Sequence, residues 1–305
     1  MHLKEEAFER MTVHGPFEFS TDAISLGINI KRYLIKPFLK KNLKVHSVYH
    51  NVINLESDIG LLSLVTPEIG RMATYVVVSP IEGVDFLTME LKPESKCIVE
   101  GNKLIFDKKL SVNFKAAEEW QGILDKGYRW KVEELKEENI SALRAALHIY
   151  GEKNSAYKRI YENKEKQIIE AVEKFNFKNS KSIISSAVYS LIGLGPGLTP
   201  TGDDVLTGVL SVITSCSERK EAEKFIIDGI YENLYRTNYI SGNMLINSTR
   251  NIYHQYIQEL IFAVGSETPE KVMEASKSLM KIGATSGSDI AAGIYIGFVN
   301  VLEYF

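Results

Sequence analysis

Two different spacings of apolar residues divide the chain. From about Lys44 to Phe114, apolar and polar positions alternate in short runs that turn residues separate. A period near two is typical of β-strands, and short strands at close spacing predict an antiparallel barrel or sandwich. The clearest run begins at Val45, and further strands are predicted at Leu61–Val65, Thr74–Val78, Phe86–Met89, Cys97–Val99 and Leu104–Phe106.

Beyond Trp120 and Trp130 the composition changes, and apolar residues recur at helical spacing. The helices at 202–216 and 287–303 are apolar nearly all round, which indicates a central position. The expected fold class is α+β, with a strand-rich N-terminal domain over 1–128 and an all-helical domain over 129–305. The spacing predicts helices at about 129–150, 164–176, 181–192, 202–216, 219–234, 240–263, 268–281 and 287–303.

Composition and charge exclude several classes of protein. The 305 residues, 45% hydrophobic and 25% charged, are typical of a soluble globular protein with a sizeable core. A net charge of −3 argues against a nucleic-acid partner, which requires clustered positive charge. Residues 1–10 lack the apolar core of a secretory signal, and Ile290–Leu302 is too short for a membrane span. Cys97 and Cys216 are too distant to form a disulfide framework, so a cytoplasmic protein without a membrane partner is expected.

The most specific stretch is LIGLGPGLTPTGDDVLTG, from Leu191 to Gly208. Its alternating glycines permit positive φ or the close approach of a ligand to the backbone. Thr199-Pro200 then leads into the apolar helix predicted at 202–216. A glycine loop that enters a helix N-terminus presents unpaired N–H groups and the positive end of the helix dipole, so this stretch favours an anion.

A related motif, GATSGSDIAAG, begins the last predicted helix at Gly283. It aligns with the stretch from Gly197 to Gly208 when Pro200 is omitted. Because both motifs open buried helices, we expect the two N-termini to converge on one site. The matched positions are Thr199 with Thr285, Thr201 with Ser286, Gly202 with Gly287, and Asp204 with Asp289.

The repeated hydroxyl and acid have two interpretations. Thr201-x-x-Asp204 and Ser286-x-x-Asp289 fit a capping box, which requires no ligand and stabilises a helix by roughly 1 kcal/mol. Capping does not account for the glycine loop or for the additional acid Asp203. A binding site is therefore the other interpretation.

In a binding site, the loop amides and hydroxyls would donate to a carboxylate, phosphate or carbamoyl group. Asp203 and Asp204 are the candidates for catalysis, because an ionised acid at a helix N-terminus can accept from a substrate N–H or hold a cation. No cofactor is assigned, and Mg²⁺ is the one cation that we keep open. The candidates for substrate or anion binding are Gly195, Gly197, Thr199, Thr201, Gly202, Thr237, Ser241, Thr285, Ser286, Gly287 and Asp289.

Other motifs are weaker. No Gly-Lys-Ser/Thr follows the glycine loop, and the glycine spacing does not fit a dinucleotide fingerprint. His46 and His50 share a strand face, but no third ligand has suitable spacing, so two partly exposed histidines are expected. Ser248-Thr249-Arg250 resembles the Ser-Thr-Arg-Thr phosphate motif of ordinary transcarbamoylases, with Asn251 in place of the last threonine.

The strings GLGPGLTPTGDDVLTG and GATSGSDIAAG together resemble the signature of the AllH family. The segment from Thr237 to Leu245 is similar to a Thr-x-x-x-Ser-x-x-x-Leu stretch of that family. The resemblance covers about 185–300, whereas 1–130 fits only as a strand-rich half. Asn251–His254 and Ser288 depart from the pattern of the family, which bears on the identity of the substrate.

Members of this family are subunits of a bacterial oxamate carbamoyltransferase of anaerobic allantoin breakdown. The resemblance implies a subunit that interconverts oxalurate and phosphate with oxamate and carbamoyl phosphate. It also implies a small anionic substrate and other carbamoyltransferase subunits as partners. The residues alone leave two alternatives, a non-catalytic anion- or nucleotide-binding assembly subunit and a metal-assisted hydrolase with Asp203, Asp204 and Asp289 as ligands.

Overall fold

The computed structural model describes residues 17–35, 43–122, 129–175, 179–216 and 220–302. The chain divides into two compact units, one that ends at Trp120 and one that begins at Gln121. The domain boundary expected after residue 128 lies at the edge of 123–128, outside the described residues. Each unit has its own hydrophobic core.

The first unit is a closed, barrel-like sheet. Around it the strands follow the order β1-β5-β4-β3-β2-β6-β7-β8, and β8 pairs with β1 to close the ring. Among the described strands, pairing is antiparallel except where β4 meets β5 and where β1 meets β8 and β9. The strands are β1 (Phe19–Gly27), β2 (Leu43–Val48), β3 (Val52–Ser57), β4 (Gly60–Val65), β5 (Tyr75–Val78), β6 (Lys96–Glu100), β7 (Lys103–Phe106), β8 (Leu110–Asn113) and β9 (Glu118–Trp120).

Two parts of this unit differ from the sequence prediction. The predicted strand Phe86–Met89 is a 3₁₀ turn, because the Asp85 carboxylate accepts from the N–H groups of Leu87 and Thr88 and closes the chain on itself. Strand β1 and the helix α1 (Ile28–Ile35), which follows it directly, lie before the region in which strands were predicted.

The second unit is helical, which confirms the α+β class. Every residue of α5 and most residues of α10 are buried, as their apolar sequences indicate. No helix within the described ranges is long and apolar enough to cross a membrane. The helices are α2 (Glu137–Tyr150), α3 (Lys166–Glu173), α4 (Lys181–Leu191), α5 (Thr201–Thr214), α6 (Lys220–Asn233), α7 (Tyr239–Thr249), α8 (Gln255–Ser266), α9 (Pro269–Leu279) and α10 (Ser286–Leu302).

The prediction of one helix over 240–263 is wrong, because α7 and α8 are separate. Asn251 takes a positive φ of 59°, which ends the first helix. His254 then begins the second helix, and its ring Nδ1 accepts from the N–H of Tyr256. Apolar residues such as Tyr253 continue through the break and are buried there, so hydrophobic spacing alone did not reveal it.

Candidate functional site

Helices α5 and α10 pack so closely that two contacts require glycine. A methyl group on Gly208 would overlap the backbone carbonyl oxygen of Ile290, and one on Gly293 would overlap that of Val205. The contacts are reciprocal, because Gly208 matches Gly293 and Val205 matches Ile290 in the repeat. The two helix N-termini therefore lie side by side, as we expected from the repeated motif.

Gly202 and Gly287 lie in the first turns of α5 and α10, and each packs against the end of the preceding helix. A side chain at Gly202 would overlap the carbonyl oxygen of Leu191, the last residue of α4. A side chain at Gly287 would overlap that of Leu279, the last residue of α9. The structure thus gives both glycines a packing role, and their part in anion binding stays a prediction.

Asp204 and Asp289 each face hydroxyl groups from both motifs. The hydroxyls of Ser286 and Thr199 favour the ionised form of Asp204 and so lower its pKa. The hydroxyls of Thr201 and Thr285 act in the same way on the pKa of Asp289. The Thr201 hydroxyl of α5 therefore favours ionisation of Asp289 in α10, and the Ser286 hydroxyl of α10 favours ionisation of Asp204 in α5.

Because the Thr201 hydroxyl interacts with the acid of the other motif, the capping box considered for α5 is not formed. The residue that caps α5 is Pro200, and no side chain accepts from the first N–H groups of the helix. The backbone N–H of Asp204 donates to the carbonyl of Pro200 at 3.2 Å. The interpretation of Thr201 as a helix cap is therefore wrong, because its hydroxyl acts on the other motif.

Both acids are fully buried and short of hydrogen-bond donors. Neither carboxylate oxygen of Asp204 has a hydrogen-bond partner of normal geometry among the described residues. Asp289 accepts from the N–H of Ala156 at 2.5 Å through Oδ1, while its Oδ2 has no such partner. The Oγ of Ser155, the neighbour of Ala156, is also buried and has no hydrogen-bond partner within the described ranges.

Burial makes it costly for these two acids to ionise together. Loss of hydration raises the pKa of Asp204 well above its usual value, and the nearby charge of Asp289 raises it further. Loss of hydration also raises the pKa of Asp289 to about 6, although the Ala156 N–H and the neighbouring hydroxyls oppose this. The pair therefore favours a state in which only one of the two acids is charged.

Asp203 belongs to a different hydrogen-bonded group. Its Oδ1 accepts from the N–H of Gly193 at 2.7 Å, and its Oδ2 accepts from the hydroxyls of Thr237 and Ser241, the latter at 2.6 Å. These donors compensate the buried carboxylate for its lost hydration. The structure thus brings the candidates Thr237 and Ser241 to Asp203, where the group joins α5 to the start of α7.

The first glycine loop is tethered to its surroundings and open at its apex. Gly195 and Gly197 have positive φ values of 109° and 99°, which only glycine adopts readily. Nδ2 of Asn238 donates to the carbonyl of Leu198 at 2.9 Å and holds the loop beside α7. The backbone N–H groups of Gly195, Gly197 and Thr199 donate to no acceptor among the described residues. They are available to an anion.

The second loop, from Met280 to Thr285, is shorter. Gly283 has a positive φ of 61° and is exposed. The backbone N–H groups of Gly283 and Thr285 donate to no acceptor in the described part of the chain. The side chains of Thr285 and Ser286 are half-buried, so their hydroxyls lie between the solvent and the buried acids.

Three neighbours of α10 in the segment 152–159 were not predicted. The Glu152 N–H donates to Ser288 Oγ at 3.2 Å, and the Ala156 N–H donates to Asp289. Arg159, whose guanidinium pairs with Glu165 at 2.6 and 2.7 Å, also favours the ionised form of Asp289 and lowers its pKa. Ala156 and Asp289 are 133 positions apart, and no local pattern links them.

The weaker motifs have structural roles. The hydroxyls of Ser248 and Thr249 donate to carbonyls of their own helix at the C-terminal end of α7, where the helix dipole disfavours a phosphate. His50 is exposed and pairs with Asp85 at 3.1 Å. Within the described ranges, no three His, Cys, Asp or Glu residues are grouped so as to hold a metal ion.

Comparison with known families identifies the same two regions. The family model described as oxamate carbamoyltransferase subunit AllH matches residues 191–298, and the model described as AllH family N-terminal domain matches residues 22–119. The first match begins with the glycine-loop motif and includes the second motif. No solved structure matches the chain.

Proposed function

The chain belongs to the AllH family of carbamoyltransferase subunits, and we propose that it serves the transfer of a carbamoyl group between oxamate and phosphate. The reaction interconverts oxalurate and phosphate with oxamate and carbamoyl phosphate. When oxalurate is cleaved, a phosphate oxygen bonds to the carbamoyl carbon and the bond from that carbon to the oxamate nitrogen breaks. The nitrogen gains a proton. The reaction thus requires anion binding, positioning and the exchange of one proton.

Free backbone N–H groups in both loops support the binding of anions. Those of Gly195, Gly197 and Thr199 lie just before α5, and those of Gly283 and Thr285 lie just before α10. Amides at a helix N-terminus stabilise a phosphate or carboxylate through hydrogen bonds and the helix dipole. They also stabilise negative charge that develops on a carbamoyl oxygen.

The hydroxyls of Thr199 and Ser286 support the recognition of an amide. Both favour the ionised form of Asp204, which a hydroxyl does by directing its proton towards the carboxylate. Such a hydroxyl has only lone pairs left for a ligand and therefore accepts from an N–H group. Free N–H donors beside hydroxyl acceptors suit a ligand that joins an anion to an amide, as oxamate, oxalurate and carbamoyl phosphate do. This combination carries the proposal.

Asp204 and Asp289 support the exchange of a proton. The pair favours one charged and one neutral carboxyl group, so it can both supply and accept a proton. Both acids are fully buried, whereas Ser286 is half-buried, so we place the hydroxyl in contact with the ligand and the acids behind it. In this proposal Asp203, with its own three donors, is a positioning residue that holds α5 against α7.

The family description as a subunit indicates that other subunits take part, and we place catalysis in the assembled enzyme. We extend the proposal to allantoin breakdown in the cytoplasm. Cys97 and Cys216 are buried and neither forms a disulfide within the described residues, which is compatible with a reducing compartment.

The test uses the full chain assembled with its partner subunits, with oxamate and carbamoyl phosphate as substrates. Release of phosphate and formation of oxalurate are measured for the wild type and for Asp204→Asn. We expect turnover to fall about 100-fold or more in the variant, because an amide can neither supply nor accept the proton.

Asp228→Asn is the matched control. Asp228 is on α6 and pairs with Lys181 at the first residue of α4, whereas the glycine loop follows the last residue of that helix. Absence of turnover in the wild-type assembly would contradict the proposal. Binding of phosphate without turnover would favour the assembly subunit, and hydrolysis that requires Mg²⁺ would favour the metal-assisted hydrolase.

A further inference from the structure

The contacts between α5 and α10 have the form of a two-fold symmetric interface. In such an interface each contact occurs twice: residue i of the first copy contacts residue j of the second, and residue j of the first copy contacts residue i of the second. Gly208 contacts Ile290 while Gly293 contacts Val205, and each glycine matches the other in the repeat. The two helices are therefore related by an internal pseudo-two-fold axis.

The polar groups of the first turns follow the same symmetry. Thr201 acts on Asp289, and its match Ser286 acts on Asp204. The loops that precede the helices match as well, because Gly197 and Gly283 both have positive φ and both are exposed. The axis therefore passes between the two acids and relates one loop to the other.

A second observation indicates that a ligand donates hydrogen bonds near this axis. Asp204 is fully buried, and neither of its oxygens accepts a hydrogen bond of normal geometry from the part of the chain that the structure describes. Its carboxyl group lies among hydroxyls of both motifs, Thr199 from the first and Ser286 from the second. A buried carboxyl group with poorly aligned donors is costly, and an amide that donates to these hydroxyl oxygens would fix the hydroxyl protons towards Asp204.

We propose, on the basis of the proposed function, that the two loops are two half-sites, one for each substrate. The loop around Gly197 binds the phosphate of carbamoyl phosphate, and the loop around Gly283 binds the carboxylate of oxamate. Each substrate has an anionic group at one end and a –CO–NH₂ group at the other. With the anions at the two loops, the –CO–NH₂ groups meet at the axis, where the oxamate nitrogen bonds to the carbamoyl carbon, phosphate leaves and the nitrogen releases a proton.

The difference between the loops assigns the substrates. The first loop has free N–H groups at Gly195, Gly197 and Thr199, enough to surround a tetrahedral dianion. The second loop is shorter, with six residues between α9 and α10 against nine between α4 and α5. A shorter loop surrounds less of an anion, which suits a planar carboxylate.

The experiment compares Gly197→Ala with Gly283→Ala in the full chain assembled with its partner subunits. An alanine at either position is strained by the positive φ, so it displaces the amides of its own loop. Gly101→Ala is the matched control, because Gly101 has a φ of 56° with open space around it and lies in the barrel unit. Dissociation constants are measured separately for inorganic phosphate and for oxamate, and denaturant unfolding shows that each variant is folded.

We expect Gly197→Ala to weaken phosphate binding about tenfold and to leave oxamate binding within about twofold. Gly283→Ala should have the opposite effect, and Gly101→Ala should alter neither constant. In the wild type, saturating phosphate should not displace oxamate.

Competition between phosphate and oxamate, or an equal loss of both in one variant, would show a single shared site and overturn the half-sites. The proposed function would still stand on the turnover assay. If the wild-type assembly bound neither ligand, both proposals would fail together.

Discussion

The two glycine loops start equivalent helices, but they differ at the third residue of each helix. In α5 this residue is Asp203, whose buried carboxylate accepts three hydrogen bonds, from Gly193 in the first loop, from Thr237 and from Ser241 in α7. In α10 it is Ser288, which accepts one bond from the N–H of Glu152. Four of the shared positions, Thr201, Ser286, Gly208 and Gly293, interact with the other motif, whereas the position that differs attaches each helix to its own surroundings. The shared positions are thus the ones on which the candidate site depends.

The largest expected effect concerns the reciprocal glycines. Gly208→Ala and Gly293→Ala should each lower the free energy of unfolding by about 3 kcal/mol, because the added methyl group overlaps the backbone of the other helix. The double variant should lose less than the sum, because one separation of the helices relieves both overlaps. Urea unfolding measures all three variants.

Gly242→Ala on α7 is the control for helix propensity. A methyl group there would meet only the side chains of Thr237 and Leu234, at 3.7 and 3.9 Å. It should leave stability unchanged or raise it by up to about 1 kcal/mol. Strict additivity of Gly208→Ala and Gly293→Ala would contradict the reciprocal packing.

The next effect tests the position at which the helices differ. Asp203→Asn should lower the free energy of unfolding by about 2 kcal/mol, because it removes a charged acceptor from three donors. Ser288→Ala should cost about 1 kcal/mol, because one neutral bond is lost. Chemical denaturation of both variants at one pH gives the comparison, and equal losses would show that the extra donors of Asp203 add nothing.

A third effect depends on pH and concerns the shared acids. The pKa of Asp289 rises from its ordinary value of 3.8 to about 6 on folding, so the folded state binds the proton more tightly than the unfolded state. Its contribution to stability is therefore complete below about pH 4 and is lost as the pH rises through about 6. Asp289→Asn should remove this loss, which we expect to be about 2 kcal/mol.

The measurement is the free energy of unfolding from pH 4 to pH 8 for the wild type and Asp289→Asn. Asp228→Asn is again the control, because its side chain is at the surface in an ion pair with Lys181. A variant that loses as much stability with rising pH as the wild type would contradict the assignment to Asp289.

The smallest effect distinguishes the interaction of the Thr201 hydroxyl with Asp289 from helix capping. Thr201→Val should cost less than about 1 kcal/mol, and only above about pH 6, because its hydroxyl favours the ionised form of Asp289. Loss of a helix cap would cost a similar amount at every pH. Unfolding of Thr201→Val at pH 5 and pH 8 distinguishes the two, and an equal cost at both values would restore the capping interpretation.

The hydrophobic spacing predicted the two-part α+β fold and the central position of α5 and α10. The repeated motif predicted that their first turns meet. The sequence could not separate the role of Asp203 from that of Asp204, because successive residues on a helix point about 100° apart and only the packed neighbours decide what each one faces. Asp203 faces the start of α7, and Asp204 faces α10.

The contributions of Ala156 and Arg159 lay beyond sequence reasoning for a similar reason. They reach α10 from a segment far away in the chain, and a π-helical turn over Lys158–Glu162 follows the first of them. Contacts of this kind arise from tertiary packing and leave no periodic signal. The same holds for the break at Asn251, where buried residues continue across the loop.

The packing of Gly208 and Gly293 also constrains which substitutions the helical unit can accept during evolution. A larger residue at Gly208 would force α10 away, and the same displacement would open room at Gly293. Among descendants of a common ancestor, the two positions should therefore either both remain glycine or be replaced together. A relative with a larger residue at only one of the two positions should have helices that are further apart. In such a relative we expect the pair formed by Asp204 and Asp289 to be lost.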